Sequence, residues 1–152
     1  MRRLGFTEKL VHLVMNCITT TSFSIIINGA ATSLIQPQRG LRQGCPLSPY
    51  LFILCAKVFS NLLMQAEREK LIHGLKFDKQ LTVSHLLFVD ESLVFTKASV
   101  EDCRNLKAIF DCYAAVSRQI FNYEKSLMFC SRKLPVEQIT AIKKHLPIED
   151  DV

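Results

Sequence analysis

The stretch "LLFVDESLVF", Leu86 to Phe95, sets two adjacent carboxylates, Asp90 and Glu91, inside a run that is otherwise almost wholly apolar. Such a run reads as buried strand, and burying an unpaired carboxylate costs on the order of several kcal/mol or forces it to take up a proton. One strand threaded through a core is therefore a poor solution. Two short strands with a tight reversal at Asp90-Glu91 solve the problem, because both acids then leave the sheet end together.

The rest of the chain supplies elements for that hairpin to pack against. Leu10, Val11, Leu13, Val14, Cys17 and Ile18 recur at helical spacing behind Thr7, a candidate N-cap. "TSFSIIINGAATSLIQP" carries β-branched residues around Asn28-Gly29, the dipeptide of a type I′ hairpin turn. A Gly- and Pro-rich loop, "QRGLRQGCPLSPYLF", leads to Ser48 as N-cap and Pro49 as first helical residue. The helix that follows is apolar on nearly every face in its first two turns, which predicts burial there and solvation near Glu67 to Lys70. "SVEDCRNLKAIFDCYAAVS" reads as a helix with Ser99 and Asp102 in capping-box positions and Leu106, Ile109, Phe110 and Tyr113 on one face. A loop and strand in "QIFNYEKSLMFC" and a helix in "PVEQITAIKKHL" complete an α+β pattern with helices packed on an antiparallel sheet.

Composition narrows the function classes. With 152 residues, 49% of them hydrophobic and 22% charged, the chain can bury a core and is not of a disordered type. Polar residues break every apolar run, so no membrane helix and no membrane partner are expected. Glu8 and Lys9 interrupt what would be the core of a signal peptide. The protein is read as soluble and intracellular, nuclear or cytoplasmic, with an organellar destination left open by its basic start. Six scattered cysteines without a CxxC pair indicate neither a zinc site nor a disulfide partner, and reduced, mostly buried thiols are expected. The net charge is +5, and no Asp or Glu occurs between Lys9 and Ala66. That bias suits a polyanionic partner, although a hydrophobic half that needs few charges explains it as well.

Adjacent acids at a hairpin tip form a hard-oxygen site suited to Mg²⁺. Alone, such a pair is more often turn chemistry. Its company changes the odds: "GLRQGCPLSPYLFIL", then "LLFVDESLVF", then "NYEKS", in this order, resemble the palm of a reverse transcriptase, and most of all the non-LTR (LINE-type) retrotransposon enzymes of plants. The resemblance runs from Arg2 to about Ser126. It implies a partial palm domain over 1–130 and, over 131–152, a C-terminal helical extension toward a thumb. It also implies RNA template, DNA primer and dNTP as partners, Mg²⁺ as cofactor, and two-metal nucleotidyl transfer as the ancestral chemistry.

On this resemblance Asp90 and Glu91 are the catalytic, metal-binding carboxylates, and Lys125 is the lysine that protonates departing pyrophosphate. Gln43 and Gly44 lie against the incoming nucleotide, Gly44 because backbone must approach the substrate closely. Arg42, or Arg39, contacts a phosphate, and Phe88 sits beside the primer end. A solvated loop and a surface lysine are the plainer alternatives for the arginines and for Lys125.

The family's pattern is not fully met. "FADD" is implied at 88–91 and "FVDE" is found; Glu91 carries an extra methylene, and misplacement of about 1 Å can cost roughly 100-fold in rate. Arg118 stands where a turn glycine is implied. A further catalytic Asp, on a strand before the first helix, has no counterpart in this chain. The fold is therefore expected to be an incomplete palm lacking its first catalytic strand, and the chain alone is expected to be inactive. Alternatives are a non-catalytic nucleic-acid-binding remnant and an unrelated α+β domain with chance motifs.

Overall fold

A computed structural model describes residues 1–37, 44–78, 80–146 and 148–150, without the side chains of Arg3, Glu149 and Asp150. It divides into two units, Met1–Pro49 and Tyr50–Val152.

In the first unit Thr7 accepts a hydrogen bond from the Leu10 N–H at 3.4 Å and opens helix α1 (Glu8–Thr19). Glu8, in the first turn, pairs with Arg2 at 2.8 Å. Val11 and Val14 are the buried residues of α1. Strands β1 (Ile26–Ile27) and β2 (Ala30–Ala31) then pair antiparallel around Asn28 and Gly29, both with positive φ (51° and 81°). That is the turn the Asn-Gly dipeptide predicts.

Helix α2 (Ser48–Arg68) begins at Ser48, one residue earlier than expected, and runs into the second unit. Its buried positions are Phe59, Leu63 and Ala66, one stripe in its second half. The predicted burial of the first two turns is overturned: Tyr50 and Ile53 are 68% and 62% exposed. A segment apolar all round carries no directional signal, and α2 is buried where it meets the cluster that includes Leu106, Phe110 and Tyr113. The expectation of no membrane-compatible helix also needs correction. Over 18 residues the mean hydropathy of α2 is 1.3, so by length and composition it is long and apolar enough to span a bilayer. Counting uninterrupted runs missed this, because Lys57, Ser60 and Asn61 break the run without lowering its average much. Mostly buried core helices pass the same test; in α2 17% of that span is buried, and the Phe59–Leu63–Ala66 stripe belongs to the core cluster.

Two hairpins follow, β3 (Leu75–Lys76) with β4 (Thr82–Val83) and β5 (His85–Phe88) with β6 (Glu91–Val94). Gly74 precedes β3 where a Cβ would lie 2.8 Å from the carbonyl oxygen of Val83, so only glycine fits. Helix α3 (Val100–Ser117) buries Cys103, Leu106, Phe110 and Tyr113, with Ile109 packed against the same core. Phe121, beyond α3, stacks on Phe110 with ring centroids 4.5 Å apart and lies 5.6 Å from Phe59. After β7 (Leu127–Met128), helix α4 (Val136–Lys143) adds Ile142 to the core, and β8 (Glu149–Asp150) pairs parallel with β7.

Helices and antiparallel hairpins are thus mixed in an α+β arrangement, as expected. The strands form four separate two-stranded pieces among the described residues, three antiparallel and one parallel. A single antiparallel sheet is not assembled there. The thiols also depart from expectation. Cys103 is buried, but Cys17 and Cys112 are exposed and Cys45, Cys55 and Cys130 intermediate. Burial pushes the Cys103 thiol up to about 11, which keeps it protonated and unreactive.

Candidate functional site

The β5–β6 hairpin pairs His85 with Val94, Leu86 with Leu93, Leu87 with Ser92 and Phe88 with Glu91. The reversal is therefore Val89-Asp90, one residue earlier than expected. Asp90 sits in the turn, whereas Glu91 is the first residue of β6. Strand alternation puts Leu86, Phe88, Glu91 and Leu93 on one face and His85, Leu87, Ser92 and Val94 on the other. Leu87 and Val94 pack on the core, while Phe88 is 76% exposed. The acids need no buried cation, because both stand in solvent at the tip.

Val89 has φ 52°, the positive value at the first central position that favours glycine in a two-residue turn. A β-branched residue held there costs about 1–3 kcal/mol. Nothing packs on the Val89 side chain tightly enough to bury it, since it is 68% exposed. The strain thus sits in the backbone that aims Asp90.

His85, at the other end of β5, bridges to α2. Its Nε2 lies 2.8 Å from the Ser60 hydroxyl and its Nδ1 lies 3.1 Å from that of buried Ser84. Burial lowers the His85 pKa; Lys57 lowers it further and Glu67 partly opposes both.

Lys125 belongs to a 3₁₀ turn, Tyr123–Lys125, and is exposed. Asn122 caps this turn by accepting from the Lys125 backbone N–H at 3.2 Å, and the Ser126 hydroxyl donates to the Asn122 carbonyl at 2.7 Å. Tyr123 is packed against the core, with the Lys107 ammonium 5.9 Å over its ring and paired to Asp111. The turn is thereby pinned to α3. Arg118 takes the left-handed position that closes α3 (φ 58°, ψ 16°), the conformation for which glycine is suited. The departure noted in the sequence has a backbone cost, yet Arg118 N–H still reaches the Ala114 carbonyl.

Gly44 has φ 79°. A Cβ there would meet nothing within 4 Å among the described residues, so what they show favouring glycine is its backbone angle. Arg39, Arg42 and Gln43 lie outside the described residues. The structure thus places Asp90, Glu91 and Phe88 together on one tip and Lys125 on a capped turn of the same unit.

Two carboxylates are the right kind of ligand for Mg²⁺, which takes one or two together with waters and substrate phosphates. The donor set fits in kind and is short in number, since no group of three His, Cys, Asp or Glu poised for a metal occurs among the described residues. Asp90 and Glu91 would hold the ion, and the ion would supply charge neutralisation at a phosphate. The chain's own part is to present two solvated carboxylates at the hairpin tip, Asp90 in the turn and Glu91 at the start of β6.

One polar cluster escaped the sequence reading. Asp102, 3% exposed, accepts from the His73 backbone N–H (2.8 Å), His73 Nδ1 (3.0 Å), Thr96 Oγ1 (3.0 Å) and Ser99 Oγ (2.6 Å). Ser99 does cap α3, accepting from Asp102 N–H at 3.1 Å, but Asp102 does not return the bond to the Ser99 backbone as a capping box requires. Burial pushes the Asp102 pKa up, and the donors from Ser99, His73 and Thr96 outweigh it, leaving it lowered.

Comparison of the sequence with known proteins gives its family. The family model for reverse transcriptase (RNA-dependent DNA polymerase) matches residues 2–145. A mitochondrial protein of Arabidopsis thaliana, itself uncharacterized, is 48% identical over 68 residues, 44% of this chain and 56% of that protein. A retrovirus-related Pol polyprotein from a type-1 retrotransposable element of Popillia japonica is 27% identical over 125 residues, 82% of this chain and 20% of that protein. The chain therefore spans about half the length of one relative and a fifth of the other. With the family model covering nearly its whole length, the chain belongs to the reverse transcriptase family and corresponds to a segment of a non-LTR retrotransposon polymerase.

Proposed function

We propose that this chain is a palm segment of a LINE-type reverse transcriptase, 1–130 forming the palm portion and 131–152 leading toward a thumb. Its hairpin tip, Asp90 and Glu91, is the divalent-metal site, Lys125 the proton donor to pyrophosphate, and Phe88 a primer contact. Arg42, Gln43 and Gly44 contact the incoming nucleotide. The observation that carries this reading is the two-residue turn at Val89-Asp90, with Glu91 opening the next strand, inside a family match of 2–145.

These 152 residues do not suffice for catalysis. No acid occurs from Lys9 to Ala66, Glu8 is paired with Arg2, and Glu67 lies near the end of α2. No third carboxylate is available on a strand beside Asp90 among the described residues. Primer extension on a homopolymer template should therefore yield no Mg²⁺-dependent product from this chain alone, and synthesis would overturn that part of the proposal. Its basic, acid-free span favours a second reading, nucleic-acid binding without catalysis. Affinity for a primer–template duplex that falls steeply with added salt supports it, and salt-insensitive or absent binding refutes it.

A further inference from the structure

The strongest unassigned feature is the buried Asp102 cluster, because its donors come from two pieces of chain, His73 and the 96–99 connector between β6 and α3. His73 precedes β3, Thr96 lies two residues beyond the end of β6, and Ser99 caps α3. An isolated buried carboxylate is costly, and replacing a satisfied polar cluster by apolar packing is often neutral for stability. Four donors converging on one buried group instead fix geometry. Thr96 is the arm that matters for the proposed site: the Phe95 N–H donates to the Ser84 carbonyl at 2.8 Å, so Thr96 adjoins the last rung of the β5–β6 ladder. The far end of that ladder carries Asp90 and Glu91.

We infer that Asp102 is a positioning residue, clamping the base of the β5–β6 hairpin to the start of α3 through Thr96 and so fixing the direction in which the acidic tip points. The inference rests on the reading of that tip as a metal site, but the clamp is measurable without metal. The register, counted from the Ser84–Phe95 rung, puts the backbone groups of Leu86 and Leu93 in the ladder, which makes their amides reporters of hairpin opening. His73 is the internal control, because its bonds tie the β3 end of the cluster to Asp102 and not the hairpin.

Native-state hydrogen exchange on the full chain tests this with three variants. Thr96→Val should speed exchange of the Leu86 and Leu93 amides about tenfold, the worth of one hydrogen bond to a charged group, with Leu63 and Phe110 amides unchanged. Thr96→Ser, which keeps the hydroxyl, should restore protection, and His73→Ala should leave the hairpin amides as they are. Uniform acceleration across α2, α3 and the hairpin in Thr96→Val, or no acceleration, overturns the clamp. Broadening of the Asp90 amide by Mn²⁺, measured on the same samples, separates the two ideas. If broadening is absent in the unaltered chain the metal reading fails, while the exchange pattern still decides the clamp.

Discussion

Asp90 and Asp102 are the same residue type in opposite settings, and the contrast shows how this fold uses charge. Asp102 is buried under four donors that hold it ionised, and removing it strands those donors. Asp90 stands exposed in a two-residue turn, where its charge is solvated and asks nothing of the core. The first carboxylate is needed by the buried donors around it, and the second is the one that the proposed metal site would use. The backbone follows the same division, since strain accumulates at Val89 beside Asp90 and none of the positive-φ residues lies at Asp102.

Mutation of each carboxylate is the sharpest way to break this contrast. Asp102→Ala should cost about 3 kcal/mol in urea unfolding, because buried donors lose a charged partner. Asp90→Ala should stay within about 0.5 kcal/mol of the parent, as for an exposed turn position. Comparable losses for the two would end the contrast.

A smaller effect is expected at Gly74, where a methyl group would lie 2.8 Å from the Val83 carbonyl oxygen. Gly74→Ala should destabilise by roughly 1–3 kcal/mol, read from the same urea curves. Smaller still are the effects at Val89 and Arg118, two of the four positive-φ residues other than glycine among the described residues, and these have the opposite sign. Val89→Gly and Arg118→Gly should each stabilise by about 0.5–1 kcal/mol by relieving positive φ at a side-chain-bearing residue. A loss of stability in Val89→Gly would mean that its side chain is anchored after all.

Acid sensitivity separates half-buried His85 from buried Asp102 by pH. The His85 pKa is lowered on folding, so its contribution is full above the unfolded value near 6.5 and is lost as pH falls through the folded value. Asp102 is lowered from a carboxylate reference near 3.9, so its contribution persists to lower pH and fades only below that value. Stability measured by urea unfolding from pH 7 down to 3 should thus fall in two stages, and His85→Asn should remove the earlier one. One stage below pH 4 in the parent chain would show that the His85 bridge contributes little.

Much of this architecture was legible because its signals are local. Thr7 and Ser99 cap helices, Asn28-Gly29 makes its turn, and the Leu106, Phe110 and Tyr113 face is buried as its spacing predicts. What escaped depends on partners distant in sequence. Asp102 looked like half of a capping box because its neighbour Ser99 was visible, whereas His73, 29 positions away, was not. The buried end of α2 was set by the α3 residues it meets, which an evenly apolar segment does not announce. At the tip the apolar run marked a hairpin, but a one-residue choice of turn remained, and pairing of Phe88 with Glu91 settled it against the more obvious Asp-Glu reversal. That choice sends the two acids into different backbone environments, one in the turn and one in the ladder.

The most direct test of the central claim is Mn²⁺ titration of the ¹⁵N-labelled full chain. A metal site at the tip predicts selective broadening of the Val89, Asp90 and Glu91 amides at millimolar Mn²⁺, competed by Mg²⁺ and abolished in Asp90→Asn. Broadening spread over other exposed acids such as Glu101 and Asp111, or unchanged by Asp90→Asn, would contradict it.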